Sequence, residues 1–389
     1  MAQQSLTSRR LRAQLPEPLS RLHAVDRRDL DRLLGLLSQW DGSDLHLKAG
    51  VTPRVRIDGE LRQLTSEPKC THTDTQAVAR AIMPAEVAAQ FDRHREADFA
   101  YSVTGVGRFR VNAYYQRSSV ALAFRRVRAT TDSIDELGLP PAVAKLAEEP
   151  RGLVLVTGPT GSGKTTTLAA MIGHVNRVRS CHIITIEDPI EYLHSDLLAS
   201  ISQREVGFDT DSFASAMRVV LRQDPDVILV GEMRDVETAS AALTAAETGH
   251  LVLSTLHTID ATETITRIVD FFPPHQQQQI RTSVAGSLRG TIAQRLVRRA
   301  DGNGRVPAVE VMVVNGRIRQ CIEDAAHTSD IVDIIVDGAY YGMQSFDQSL
   351  AAHLEAGLIS LSEALEMATN PHDLRVTLER RGLVQTGRG

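Results

Sequence analysis

The sequence is short of cysteine, of lysine and of long apolar runs, and each shortage removes a class of protein. Three scattered cysteines in 389 residues, Cys70, Cys181 and Cys321, make no C-x-x-C pair, so neither a disulfide framework nor a structural zinc site is expected. A reducing cytoplasm suits them. No apolar run approaches the roughly 20 residues that a membrane-crossing helix needs, and the polar, Arg-bearing start from Met1 to Arg12 has no signal-peptide core. Any membrane association is therefore expected to be peripheral and to run through a partner. The formal net charge of -5 offers no broad basic field, and no basic groove interleaved with aromatics stands out, so nucleic acid is not an expected partner. Internal repeats, low-complexity tracts and sustained heptads are missing as well. What is present is an ordinary globular composition, 42% hydrophobic, in a chain long enough for two or three cores.

Lysine scarcity singles out one position. Of the 43 basic residues only Lys48, Lys69, Lys145 and Lys164 are lysine, so arginine fills nearly every other basic site. Lys164 lies in Gly158-Pro159-Thr160-Gly161-Ser162-Gly163-Lys164-Thr165-Thr166, between a strand-like run, Leu153 to Thr157, and a helix-like run, Thr166 to Val175. That is the setting of a phosphate-binding loop. Its glycines let successive N–H groups face one centre, the helix adds its positive end, Lys164 reaches the β- and γ-phosphates, and the Thr165 hydroxyl takes Mg²⁺. A compact ammonium fits among phosphate oxygens where a broad guanidinium would not. ATP with Mg²⁺ is the expected ligand.

Along the chain, residues 1–25 read as a loose tail, residues 26–130 as a small mixed α+β domain, 131–150 as a linker with a short helix, and 151–389 as an α/β nucleotide-binding domain ending in helices. In the small domain Leu30, Leu33, Leu34 and Leu37 keep helical spacing, and Asp44–Leu47 with Pro53–Gly59 read as a hairpin closed by an Asp-Gly turn. Helices are expected over 75–82 and 85–91, and strands over 107–115 and 120–127. In the larger domain strands at 153–157, 182–186, 227–230 and 251–255 alternate with helices at 165–176, 212–222 and 236–247. That alternation predicts a parallel doubly wound sheet, with functional loops at the strands' C-terminal ends.

Three clusters fall at those ends. Glu187-Asp188-Pro189-Ile190-Glu191-Tyr192 follows one strand and Gly231-Glu232-Met233-Arg234-Asp235 another, so both deliver carboxylates to the phosphate loop's edge. Phosphoryl transfer to water needs an acceptor that orients the attacking water and ligands that hold Mg²⁺. Glu232 is the candidate for the water, with Glu191 and Asp188 in support, and Glu187 and Glu191 join Thr165 as metal candidates. Solvated loop charges, or partners of Arg218 and Arg222, are the alternative reading. The third cluster, Gly249 to Thr258, is a strand with a histidine at each end. His257 faces the nucleotide side, where imidazole could donate to an oxyanion; a structural histidine bonded to a carbonyl is the alternative there and at His250.

Together GPTGSGKT, ITIEDPIEY, REVGFDTDSFASAMRVVLRQDPDVILVGEMRD and AAETGHLVLSTLHT resemble the secretion-ATPase superfamily, and their order resembles its PilT-type branch, the retraction motors of type IV pili. The resemblance runs from Ser43 to near Leu365. In that family the four segments are the Walker A motif, Asp box, Walker B motif and His box. The resemblance implies a PAS-like domain before a RecA-like ATPase domain, and a homo-hexameric ring. It also implies a platform protein of the inner membrane as partner, a second retraction ATPase beside it, and a place at the membrane's cytoplasmic face. A ring has a chemical motive, since an arginine from a neighbouring subunit can offset charge on the transferring phosphoryl group. By resemblance Arg110 and Arg125 would fill that role. An assembly or type II secretion motor, an accessory nucleotide-binding ring subunit and a nucleic-acid translocase are the competing readings; Arg317, where the branch usually has Ala, departs from its pattern.

Overall fold

The computed structural model describes residues 27–129 and 131–384; the tail read over residues 1–25 lies outside the described residues. Internal contacts divide the chain into two compact units that meet between Ala129 and Thr130.

The first unit opens with the helix Arg27–Gln39, whose Leu30, Leu33, Leu34 and Leu37 are all buried. Then come β1 (Asp44–Lys48), β2 (Arg54–Ile57), β3 (Glu60–Gln63), helices His72–Ile82 and Ala85–His94, β4 (Glu96–Val103), β5 (Gly107–Gln116) and β6 (Ser119–Arg126). The sheet runs β3-β2-β1-β6-β5-β4, with every neighbouring pair antiparallel. The expected hairpin needs correcting. The Asp58-Gly59 turn joins β2 to β3, with both residues at positive φ (51 and 80°), whereas β1 meets β2 across the longer 49–53 connection. Strand alternation sends Leu45, Val55, Phe124 and Val111 into the core beneath the helices. The opposite face carries Arg56, Asp44, Arg125 and Arg110 in one row across β2, β1, β6 and β5.

The second unit is built on a seven-stranded sheet: β7 (Gly152–Thr157), β8 (His182–Glu187), β9 (Ser200–Glu205), β10 (Val227–Val230), β11 (Leu251–Leu256), β12 (Leu288–Arg298) and β13 (Arg305–Val313). Its order is β13-β12-β7-β11-β10-β8-β9. All pairs are parallel except β12 with β13, so the sheet expected to be parallel carries an antiparallel edge and three strands, β9, β12 and β13, beyond the four read from the sequence. Burial on both faces explains the apolar runs of the central strands. Leu153 and Leu155 of β7 pack on one side with the helices Val236–Glu247, Ala261–Asp270 and Gln277–Ser287. Val154 and Val156 pack on the other with Pro141–Ala147 and Lys164–Val178. Helices Phe346–Glu355, Leu361–Met367 and Pro371–Arg380 add a further cluster against β12 and β13.

Beside β7, Gly290 of β12 has no room for a side chain. A Cβ there would lie 2.6 Å from the Met312 carbonyl and 2.8 Å from Leu146 Cδ2. Gly290→Ala should therefore overpack the sheet and destabilise the protein by about 1–3 kcal/mol. A thermal melt checks this, and an unchanged Tm would mean that the helix Pro141–Ala147 can give way.

Candidate active site

At the C-terminal edge of the second sheet lies a cleft of about 500 Å³. Its floor is the loop between β7 and the helix Lys164–Val178, contributing Thr160, Gly161, Gly163, Lys164, Thr165 and Thr166. The loop's curl depends on glycine at φ values no side chain holds easily: Gly158 is at 139° and Gly163 at 93°. A Cβ on Gly158 would sit 2.4 Å from the Gln294 carbonyl of β12, and one on Gly163 would sit 2.7 Å from Gln294 Nε2. The same Gln294 accepts a 2.8 Å hydrogen bond from Thr167 Oγ1. One β12 residue thus lies close against the loop and bonds to the helix that follows it. Pro159 and Ser162 complete the curl, with Ser162 buried. Lys164 Nζ donates to the carbonyls of Gly158 (2.7 Å) and Pro159 (3.1 Å). Burial lowers its ammonium below the usual lysine range, and the charge of Glu232 pulls it back part of the way.

Glu232 follows β10, held there by the neighbouring strand: Ser254 and Thr255 of β11 donate to the carbonyls of Val230 and Gly231, each at 2.7 Å. Burial alone would raise its carboxyl. Instead Arg234, 2.7 Å from Oε2, and His257, whose Nε2 lies 3.3 Å from Oε1, outweigh burial and hold it below the usual carboxylate range. Glu232 is therefore an ionised acceptor with Lys164 and Thr165 in the same cleft.

From β8 come Glu187, Asp188 and Glu191, all lining the cleft. Glu187 is tied down, its Oε1 accepting from Thr185 Oγ1 (2.6 Å) and Gln203 Nε2 (3.0 Å). Burial pushes its carboxyl up despite those bonds. Asp188 lies close enough to Arg234 to raise the guanidinium further. Of the two suggested partners of these carboxylates, Arg218 pairs instead with Glu237. Thr166 shares a 3.0 Å hydrogen bond with the Tyr192 hydroxyl, so it braces the cleft's wall. At the far end of β11, His250 Nδ1 lies 3.0 Å from the Ala245 carbonyl, the structural arrangement left open for it. The donor set fits magnesium: a hydroxyl at Thr165 and carboxylates across the cleft suit an octahedral ion that keeps waters and phosphate oxygens.

Arg110 and Arg125 belong to the first unit and line no part of this cleft. They face each other across β5 and β6. Arg125 Nε donates to Asp44 Oδ1 at 2.9 Å, while its side chain stays 70% exposed. Burial would raise the Asp44 carboxyl, but Ser43 and Arg125 together lower it.

A family model described as type II/IV secretion system protein matches residues 41–365. The chain belongs to that family. It is 43% identical to the type IV pilus retraction ATPase PilT of Pseudomonas aeruginosa over 345 residues, covering 89% of this chain and 99% of the relative. It is also 43% identical to a twitching motility protein of Neisseria gonorrhoeae, covering 83% of this chain and 86% of the relative. A crystal structure of the pilus retraction motor PilT with bound ADP superposes with a TM-score of 0.81 at 45% identity, covering 89% and 99% of the two chains. The chain is accordingly an ATPase, and no described helix is long and apolar enough to cross a membrane.

Sequence reasoning missed several members of the site. His194 and Arg305 line the cleft beside Tyr192, which closes the first acidic cluster, and Gln203 and Gln294 fix its walls. Burial pushes His194 down to about 4, so a neutral imidazole faces the cleft at physiological pH. Arg234 stood beside Glu232 in the sequence, and its i+2 spacing after a strand end was the available signal. Gln203 and Gln294 gave none, because they act through strand neighbours far away in sequence.

Proposed function

We propose that this ATPase is the retraction motor of a type IV pilus, working as a homo-hexamer in which a RecA-like domain hydrolyses ATP and a PAS-like domain moves against it. The observation that carries the reading is the pairing, in one cleft, of a phosphate loop bearing Lys164 with an ionised Glu232 held between Arg234 and His257. Glu232 accepts a proton from the attacking water and aims it at the γ-phosphate; Lys164 and the loop amides stabilise the charge that develops on the phosphoryl oxygens. Thr165, with Glu191 or Glu187, would hold Mg²⁺, which neutralises charge on the β- and γ-phosphates when bound. Arg110 and Arg125 would be offered to a neighbouring subunit's nucleotide, and the hold of Asp44 on Arg125 keeps that guanidinium aimed while leaving it exposed.

Identity over nearly the whole of the PilT relative supports retraction as the direction of work. The load would pass to a platform protein in the inner membrane, which keeps the motor peripheral at the cytoplasmic face, with a second retraction ATPase as a further partner. Intact Lys164 and Glu232 favour a working motor over an accessory ring subunit. Deleting the gene tests the direction: surface pili should accumulate and twitching should stop. Disappearance of pili would point to assembly instead.

A further inference from the structure

Glu310 of β13 is a buried carboxylate that the proposed chemistry does not use. It is 7% exposed, and its Oε1 accepts a 2.9 Å hydrogen bond from the Ala261 backbone N–H. Ala261 is the first residue of the helix Ala261–Asp270, and the four residues before it run back to His257. Those residues form a braced turn. Thr258 and Thr264 share a 2.7 Å hydroxyl bond, Thr264 Oγ1 donates to the Asp260 carbonyl at 2.6 Å, and the Ile259 N–H donates to Glu263 Oε2 at 2.8 Å. A shift at Ala261 therefore moves the turn as a unit. The turn's other end carries His257, 3.3 Å from Glu232.

Charge makes the position expensive. Among the described residues no ion pair forms on Glu310, and the cation nearest in influence, Arg295 of β12, is directed elsewhere: it donates to the Met367 carbonyl at 2.6 Å and stacks over Phe346 at 3.9 Å. Asp260 from the turn and Asp347 from the helix Phe346–Glu355 add like charge. A buried acid in such company is costly unless its charge strengthens a particular bond, and here that bond goes to a helix N-terminus.

We infer that Glu310 is a positioning residue for ATP hydrolysis, gripping the Ala261 amide so that the braced turn holds His257 against Glu232. Burial first, then the charges of Asp260 and Asp347, push its carboxyl up to about 7, against the pull of the Ala261 N–H and Arg295. The grip therefore strengthens as pH rises through neutrality, when the neutral acid becomes a charged acceptor.

The inference rests on the reading of Glu232 and His257 as partners in hydrolysis, and the test separates the two. Full-length wild type, Glu310→Ala, Glu310→Gln, His257→Ala and the Glu310→Ala/His257→Ala double variant are assayed for kcat and KM from pH 6 to 8.5. Glu310→Ala should lower kcat about tenfold with KM for ATP changed by less than about twofold. Glu310→Gln, which keeps the shape and an acceptor, should recover most of that loss yet lack the wild type's rise in kcat through pH 7. The double variant should be no slower than His257→Ala alone. Losses that add in the double variant, or a pH rise that survives in Glu310→Gln, would overturn the inference. Wild-type kcat in His257→Ala would instead overturn the reading beneath it. Should Glu310→Ala fail to fold, the Gln variant and its pH profile still decide.

Discussion

Glu232→Gln should bind ATP as the wild type does and turn it over about 10²-fold more slowly or worse. The substitution keeps the side chain's size but removes the negative charge. That charge is the property the site is built to preserve: burial works against it, and Arg234 with His257 restores it. The contacts expected to bind nucleotide lie elsewhere, on the loop from Gly158 to Thr166, which the variant leaves alone. Single-turnover hydrolysis beside equilibrium nucleotide binding separates the two quantities. Near-normal turnover would take Glu232 out of the reaction and turn attention to Glu191, which lines the same cleft. Arg234 is 62% exposed, so its loss of a partner in this variant costs little stability, and a large drop in Tm would not be expected.

The parts of this architecture that could be read beforehand are those whose burial is written locally. β7, β10 and β11 are buried at every residue, and each is short and mostly apolar, broken only by Thr157 in β7 and by Ser254 and Thr255 in β11. β9, Ser-Ile-Ser-Gln-Arg-Glu, is an edge strand with one buried residue, so its polar sequence resembles a loop. β12 was hidden for a different reason. Gly290, Gln294 and Arg295 break its apolar pattern, and each is there for a neighbour: Gly290 for Met312 and Leu146, Gln294 for the phosphate loop, Arg295 for Phe346. The candidate catalytic side chains follow the same division. Glu232 and His257 announce themselves by falling just past strand ends, and Lys164 by opening the helix after a glycine-rich loop. Glu310 does not, because its partner Ala261 is 49 residues away and the bond uses a backbone amide with no sequence signature.

Lys164→Arg should abolish hydrolysis as thoroughly as Lys164→Ala, with turnover down by about 10²–10³-fold or more in each. Conservation of charge would ordinarily predict a mild effect, and the geometry says otherwise. Nζ sits within 2.7 Å of the Gly158 carbonyl and 3.1 Å of the Pro159 carbonyl, inside a curl whose backbone already crowds Gln294. An ammonium is a point charge that can exchange those carbonyls for phosphate oxygens as a triphosphate enters. A planar guanidinium has no room to turn there, and pushing the loop outward would misalign the amides that cradle the phosphates. Binding of labelled ATP and steady-state turnover measure the two losses separately. Full turnover in Lys164→Arg would mean that the loop opens widely on binding and that steric selection does not explain lysine at this place in an arginine-rich chain. The two substitutions are also coupled. Glu232 acts on the water and Lys164 on the phosphoryl oxygens of one transition state, so the double variant Glu232→Gln/Lys164→Ala should lose less than the sum of its parts.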